Sequence, residues 1–187
     1  MRFVVAITGA SGALYAQRLI DCLADGGHQA DVVLSNHAHE VIAGEIGELR
    51  LPGNFTKHRD RSMQVPFASG SAPYDAMVVI PCSMGTLARI AYGYSDSAIT
   101  RAADVFLKER RKLILVPRET PWNLVHARNT VTLIEAGATL IPAMPSFYGN
   151  PQTIGDLVDT LVARVLDHLG VEHDLIRRWK CGPAGES

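Results

Sequence analysis

The sequence predicts a three-layer α/β/α fold built on a mainly parallel sheet, and three observations carry that expectation. Short apolar runs recur along the chain, helical spacing appears beside each of them, and the runs are apolar at successive rather than alternate positions. Strands that are apolar on both faces must be covered on both faces, which two helical layers around one sheet achieve.

The elements follow in order. Residues 3–8 (FVVAIT) form the first run; GASG ends it, and Leu14, Leu19, Ile20 and Leu23 then return at helical spacing. Residues 30–35 (ADVVLS) repeat the pattern ahead of a helix from about His37 to Ile46. Residues 76–80 (AMVVI) lead into PCSMGTLARIA, and 113–117 and 138–142 supply two further runs. The last helix carries the fullest set of signals. Thr153 can cap it with Asp156 three residues on, Ile154, Leu157, Leu161, Val165 and Leu169 keep one face apolar, and Gly170 stops it. Between Gly47 and Pro73 the periodicity fails, so that stretch reads as a functional or subunit-contact loop with PFASGSAP (66–73) as its flexible end.

A chain of 187 residues with 47% apolar content suits one domain, taken as residues 1–179, with KCGPAGES (180–187) as a flexible tail. A formal charge of −1 leaves no broad basic surface for nucleic acid, and KERRK at 108–112 reads as a solvated helix end. Cysteines at 22, 82 and 181 form neither a disulfide framework nor a close metal-ligand cluster, which fits a reducing, cytoplasmic compartment. No run approaches the length of a membrane span, and the first residues lack a signal peptide's core.

In an open parallel sheet, ligands bind beyond the carboxyl ends of the strands. Four runs deliver small polar or charged groups to that edge: Gly9, Ala10, Ser11 and Gly12 after the first, Ser35 and Asn36 after the second, Cys82 to Thr86 after the third, and Arg118 and Glu119 after the fourth. GASG is either a backbone cradle for an anion, with Ser11 adding a hydroxyl, or a plain glycine-rich turn. Ser83, Met84, Gly85 and Thr86 form a second such cradle, or Ser83 and Thr86 are ordinary caps. Together they favour a phosphorylated, planar cofactor over a nucleoside triphosphate, since the chain has no GKS or GKT loop. Arg118 either pairs with Glu119 at the surface or holds the cofactor while Glu119 handles a proton.

Arg101, Lys108 and Arg164 are further phosphate partners or solvated cations. Tyr148, beside Phe147, either closes the core or offers its hydroxyl to an anion. Trp122 is a packing or a stacking residue, and His126 a helix-surface or subunit-contact residue or a catalyst. His37 and His39, two apart, do not share a helix face, so no metal site is expected. Cys82, at an apolar strand end, reads as a buried thiol.

Several stretches carry a resemblance over most of the chain: ITGASGALYAQRLID, SGS at 69–71, PCSMGTLARIA, TRAADVFLKERRKLILVPRETP, GATLIPAMPSFYGNPQTIGDLVDTLVARVLDHLG and RRW at 177–179. They resemble the UbiX-type flavin prenyltransferases, within the flavoprotein group that includes the phenylacrylic acid decarboxylase partner proteins. The resemblance implies a Rossmann-like, flavodoxin-like sheet. It also implies transfer of a dimethylallyl group from dimethylallyl phosphate to N5 and C6 of reduced FMN, making prenylated FMN for a UbiD-type decarboxylase. Carried over by motif, Gly9, Ala10, Ser11, Ser35, Ser83, Met84, Gly85, Thr86 and Arg118 are flavin-site positions. Tyr148 and Arg164 match prenyl-phosphate contacts, joined by Lys108 and Arg101 across a subunit boundary. Glu119 and Ser11 match proton-handling positions, and Glu45 an acidic residue lining the site. Homo-oligomers, commonly dodecamers, are implied as well. The chain departs from the family pattern at Asn36 and at Trp122 and Asn123.

Such chemistry needs cations around a departing phosphate, which removes the requirement for a divalent metal, and a dry slot that holds the allyl fragment against the flavin. The alternatives are an FMN-dependent decarboxylase of the same fold and a non-enzymatic flavin carrier for a partner decarboxylase.

Overall fold

The structure, a computed structural model, describes residues 1–176. Cys181, the RRW stretch at 177–179 and the expected tail at 180–187 lie outside the described residues. Six parallel strands form one sheet: β1 (Arg2–Ile7), β2 (Gln29–Leu34), β3 (Thr56–Arg59), β4 (Ala76–Cys82), β5 (Lys112–Pro117) and β6 (Thr139–Leu140), in the order β3-β2-β1-β4-β5-β6. Without the short edge strand β3, the order is that of flavodoxin-type sheets. The helices are α1 (Ala13–Asp25), α2 (Asn36–Glu45), α3 (Met84–Ala91), α4 (Ala98–Lys108), α5 (Leu124–Glu135) and α6 (Ile154–Leu169).

The apolar runs are strands buried on both faces, as expected. Along β1, Phe3, Val5 and Ile7 join a core under α1, α2 and α6, while Val4 and Ala6 join a second core under α3 and α4. Successive strand side chains point to opposite faces, so a run apolar at every position feeds both cores. Helix α6 is capped as its sequence predicts: Thr153 Oγ1 accepts from Asp156 N at 3.1 Å, and Gly170 ends the helix in the left-handed region at φ 74°.

Two expectations need correction. The stretch 47–73 is not uniformly irregular, because it holds β3 and a 3-10 turn at Pro66–Ala68. Strand β3 reads Thr-Lys-His-Arg and lies at the sheet edge, so its polarity hid it from an apolar-run criterion. PFASGSAP is fastened rather than loose: Phe67 is fully buried, Arg101 donates to Ala68 O at 3.3 Å, and Arg111 donates to the carbonyls of Gly70 and Ala72. The run at 138–142 yields a two-residue strand, although pairing continues as Ile141 N donates to Leu115 O and Ala143 N to Pro117 O, both at 2.9 Å.

One polar cluster lies inside the sheet. Asp31 of β2 accepts hydrogen bonds from Tyr74 OH (2.7 Å) and Arg2 Nη2 (2.9 Å), and its Oδ1 lies 2.6 Å from His58 Nε2 on β3. Burial alone would raise the Asp31 carboxyl; the bonds from Tyr74, His58 and Arg2 outweigh it and hold the carboxyl below its ordinary range. A polar edge strand and the loop before β4 are thus tied to an apolar sheet through one carboxylate.

Candidate active site

The turns after β1 and β4 meet where neighbouring strands send their chains to opposite faces of the sheet. That divergence opens a crevice at the carboxyl edge. Gly12 precedes α1 with φ 122°, a conformation that an L side chain resists, and a Cβ on Gly9 would stand 2.5 Å from His37 Cβ. Glycines are therefore required where the β1 turn passes the start of α2. Ser35 joins the same edge, its N–H donating to Ile7 O at 2.9 Å.

The turn after β4 starts α3. Ser83 Oγ accepts from Thr86 N at 3.3 Å and donates to Thr86 Oγ1 at 3.1 Å, so the capping role weighed for these residues is made. Capping consumes Thr86 N and leaves the amides of Met84 and Gly85 at the helix start. Thr8, which no expectation singled out, lies 1% exposed between the two turns. Its only signal was a hydroxyl residue closing an otherwise apolar run.

The first anion cradle is filled from within the chain. Glu45, at the end of α2, accepts from Gly12 N at 2.9 Å and Ala13 N at 2.8 Å. Partial burial favours the neutral acid, but the Ser11 hydroxyl, these amides and the positive charge of Arg118 prevail and hold the Glu45 carboxyl below its usual range. The helix start was legible as an anion site and the resemblance put Glu45 beside the site, but that Glu45 itself fills the cradle was not legible.

Arg118 N donates to Cys82 O at 3.2 Å, which sets the arginine beside the α3 turn. Its Nε is buried without a hydrogen-bond partner. A buried guanidinium donor of this kind fits an oxygen-rich anionic or carbonyl group, and FMN offers both a phosphate and a dicarbonyl ring. The residues present therefore fit the flavin that the sequence resemblance implies. Glu119 is exposed and its Oε1 accepts from Thr120 N at 3.0 Å, so its carboxylate is oriented by its own loop. Trp122 packs partly on the core and donates to Glu119 O at 3.1 Å, the packing role of the two considered.

The expected phosphate set is arranged differently. Lys108 ends α4 and lines a cavity of about 570 Å³ with Arg110, Arg111 and Glu135. It lies near the amino end of β5, whereas Arg118 follows the carboxyl end of that strand, about 20 Å away along the chain axis. Arg164, an exposed position on the otherwise largely buried middle of α6, pairs with Asp167 at 2.9 Å, and the far end of that helix meets the amino edge where Lys112 Nζ donates to His168 O. Arg101 pairs with Asp104 at 2.8 Å as well as holding Ala68 O. Tyr148 is 86% exposed, so it does not close the core within one chain. One chain thus gathers the positions expected to meet a flavin and Glu45 at a single edge, and leaves Lys108 and Arg164 exposed.

The remaining candidates take structural roles. His126 completes a capping box with Asn123 at the start of α5. His37 and His39 are exposed on α2, and no metal-holding cluster of His, Cys, Asp or Glu occurs among the described residues. Burial pushes the Cys82 thiol up to about 12, which suits an inert core residue. No helix among the described residues is long and apolar enough to cross a membrane.

Known proteins share this fold and much of this sequence. The Flavoprotein family profile matches residues 1–166. A flavin prenyltransferase UbiX of Methanocaldococcus jannaschii is 43% identical over 184 residues, which cover 96% of this chain and 98% of that one. The crystal structure of AnUbiX (PadA1) in complex with FMN and dimethylallyl pyrophosphate superposes with a TM-score of 0.90 at 40% identity, covering 96% of this chain and 97% of that one. A dodecameric FMN-dependent UbiX-like decarboxylase from Escherichia coli O157:H7 gives a TM-score of 0.92 at 41% identity, covering 96% and 100%. With near-complete coverage at this level of identity, and a crevice whose glycine turns and unpaired Arg118 Nε suit a flavin, the chain belongs to the flavoprotein family, in its UbiX-type flavin prenyltransferase branch.

Proposed function

We propose that the protein transfers a dimethylallyl group from dimethylallyl phosphate to N5 and C6 of reduced FMN, and that the prenylated FMN serves a UbiD-type decarboxylase. The observation that carries this reading is Arg118, whose buried Nε has no acceptor although it stands between the Ser83–Thr86 turn and the Glu45-filled turn. Because Glu45 already occupies the amides of Gly12 and Ala13, the start of α3 is the open cradle for a flavin phosphate. Gly9, Ala10, Ser11 and Ser35 then border the rest of the flavin. Reduced flavin supplies an electron-rich nitrogen for the new bond.

Cleaving an allylic C–O bond builds charge on the departing phosphate, and cations and hydrogen-bond donors aimed at that phosphate lower the barrier. Tyr148, Arg164, Lys108 and Arg101 suit this task chemically, but within one chain Tyr148, Arg164 and Lys108 are exposed and Arg101 is held by Asp104 and Ala68 O. The site is therefore completed between copies, with these side chains reaching the crevice of a neighbour. The proton lost on ring closure would go to Glu119, or to the departing phosphate relayed through Ser11. Free Cys22 and Cys82 accord with a reducing cytoplasm.

Helix α5 supports self-association. It buries only Asn129 and Leu133, while Leu124, Val125, Val131 and Ile134 are each more than half exposed. Apolar residues clustered on one surface helix mark a contact, and the similar dodecameric structure makes a second copy the matching partner. Replacing Val131 and Ile134 together by Asp is expected to reduce the assembly to smaller species by light scattering. An unchanged mass would remove α5 from the contact.

The deciding experiment for the activity is anaerobic incubation with reduced FMN and dimethylallyl phosphate, followed by mass analysis of the flavin. A gain of one five-carbon unit is expected. Unaltered flavin from correctly assembled protein would favour a carrier or a decarboxylase.

A further inference from the structure

We infer that Thr8 is a positioning residue for the flavin site, its single hydroxyl setting the spacing between the turn after β1 and the turn after β4. This rests on the flavin-binding part of the proposed function. Thr8 Oγ1 donates to Pro81 O at 2.8 Å and accepts from Ser83 N at 2.7 Å. Its backbone is equally engaged: Thr8 N donates to Pro81 O at 3.2 Å, and Thr8 O accepts from Ala10 N at 2.8 Å. Its hydroxyl and its N–H therefore tie one turn to the other, while its carbonyl closes the β1 turn on itself.

The geometry has a chemical consequence. Ser83 is the cap of α3, so the orientation of its peptide fixes the direction in which the Met84 and Gly85 amides point. By taking the Ser83 N–H, Thr8 withdraws that donor from any ligand and anchors the helix start to the end of β1. Ser83 Oγ is committed to Thr86, which leaves Thr8 as the link between the α3 cradle and Gly9, Ala10 and Ser11. A flavin contacting both turns requires that separation to be set before it binds, because reorganisation on binding costs affinity. Thr8 is buried and its β-branched side chain is stiff at χ1, so the link cannot swing.

The test compares T8V, which keeps the shape and loses the hydroxyl, with T8S, which keeps the hydroxyl. T8V leaves Ser83 N–H and one Pro81 bond unmet, and is expected to weaken FMN binding by roughly 10- to 100-fold. The KM for FMN should rise in parallel, while kcat at saturating flavin stays within roughly threefold of wild type, since no group touching the reacting atoms is lost. T8S should restore FMN affinity. A purely structural Thr8 would instead lower the melting temperature and leave the FMN dissociation constant unchanged well below it, which overturns the inference.

Amide exchange in the wild type decides the matter should T8V fail to fold. The Ser83 amide is expected to be protected in flavin-free protein, and protection that appears only with FMN would overturn the inference. Wild type that binds no FMN would instead defeat the underlying flavin reading. Wild type that binds FMN without prenylating it would defeat only the proposed reaction.

Discussion

Replacing Glu119 by Gln is expected to leave FMN bound and to slow formation of the ring-closed product by about 10²- to 10⁴-fold, the range over which a positioned acid or base contributes. The substitution isolates proton handling. Gln retains the carbonyl oxygen that accepts from Thr120 N, so the loop keeps its shape, and Trp122 bonds the backbone carbonyl of residue 119 rather than its side chain. Arg118 and the α3 turn, the proposed flavin cradle, are untouched. Anaerobic single-turnover measurements with mass analysis would separate retained binding from lost turnover, and full turnover in this variant would take Glu119 out of the mechanism.

The largest stability effect is expected at the other end of the sheet. Asp31→Asn removes the charge that Tyr74, His58 and Arg2 converge on, and should cost about 2–4 kcal/mol, given the strength of hydrogen bonds to buried charged groups. In a protein of this size that lowers the thermal midpoint by on the order of 10 °C. The pH dependence has a definite sign. Because the carboxyl is depressed in the folded state, its contribution is present above the ordinary aspartate range and is lost as pH falls below about 4. The variant should therefore show a shallower loss of stability under acid than the wild type. Equal acid profiles in chemical denaturation would show that the cluster contributes nothing to the pH dependence.

The two residues illustrate different kinds of legibility. Glu119 stands beside Arg118 at the mouth of an apolar run, and its exposure to chemistry could be suspected from LVPRETPW alone. Asp31 sits inside an apolar run and gave no sign of its role, since its three partners come from β1, β3 and the loop before β4. Thr8 was missed for the same reason.

The sequence by itself determined the alternation of strands and helices, the glycine and serine turns at the carboxyl edge, the caps of α6 and the family. All of these depend on neighbours within a turn or on motifs read in order, where spacing alone sets which side chains face together. Only the tertiary structure decided that the α1 start is filled by Glu45, that β3 is a polar edge strand, that the 66–73 segment is pinned by Arg101 and Arg111, and that Lys108 and Arg164 face away from Arg118. Those outcomes rest on contacts between residues far apart in the chain, and a hydrogen bond between distant groups is chosen by how the helices cross the sheet rather than by any local pattern.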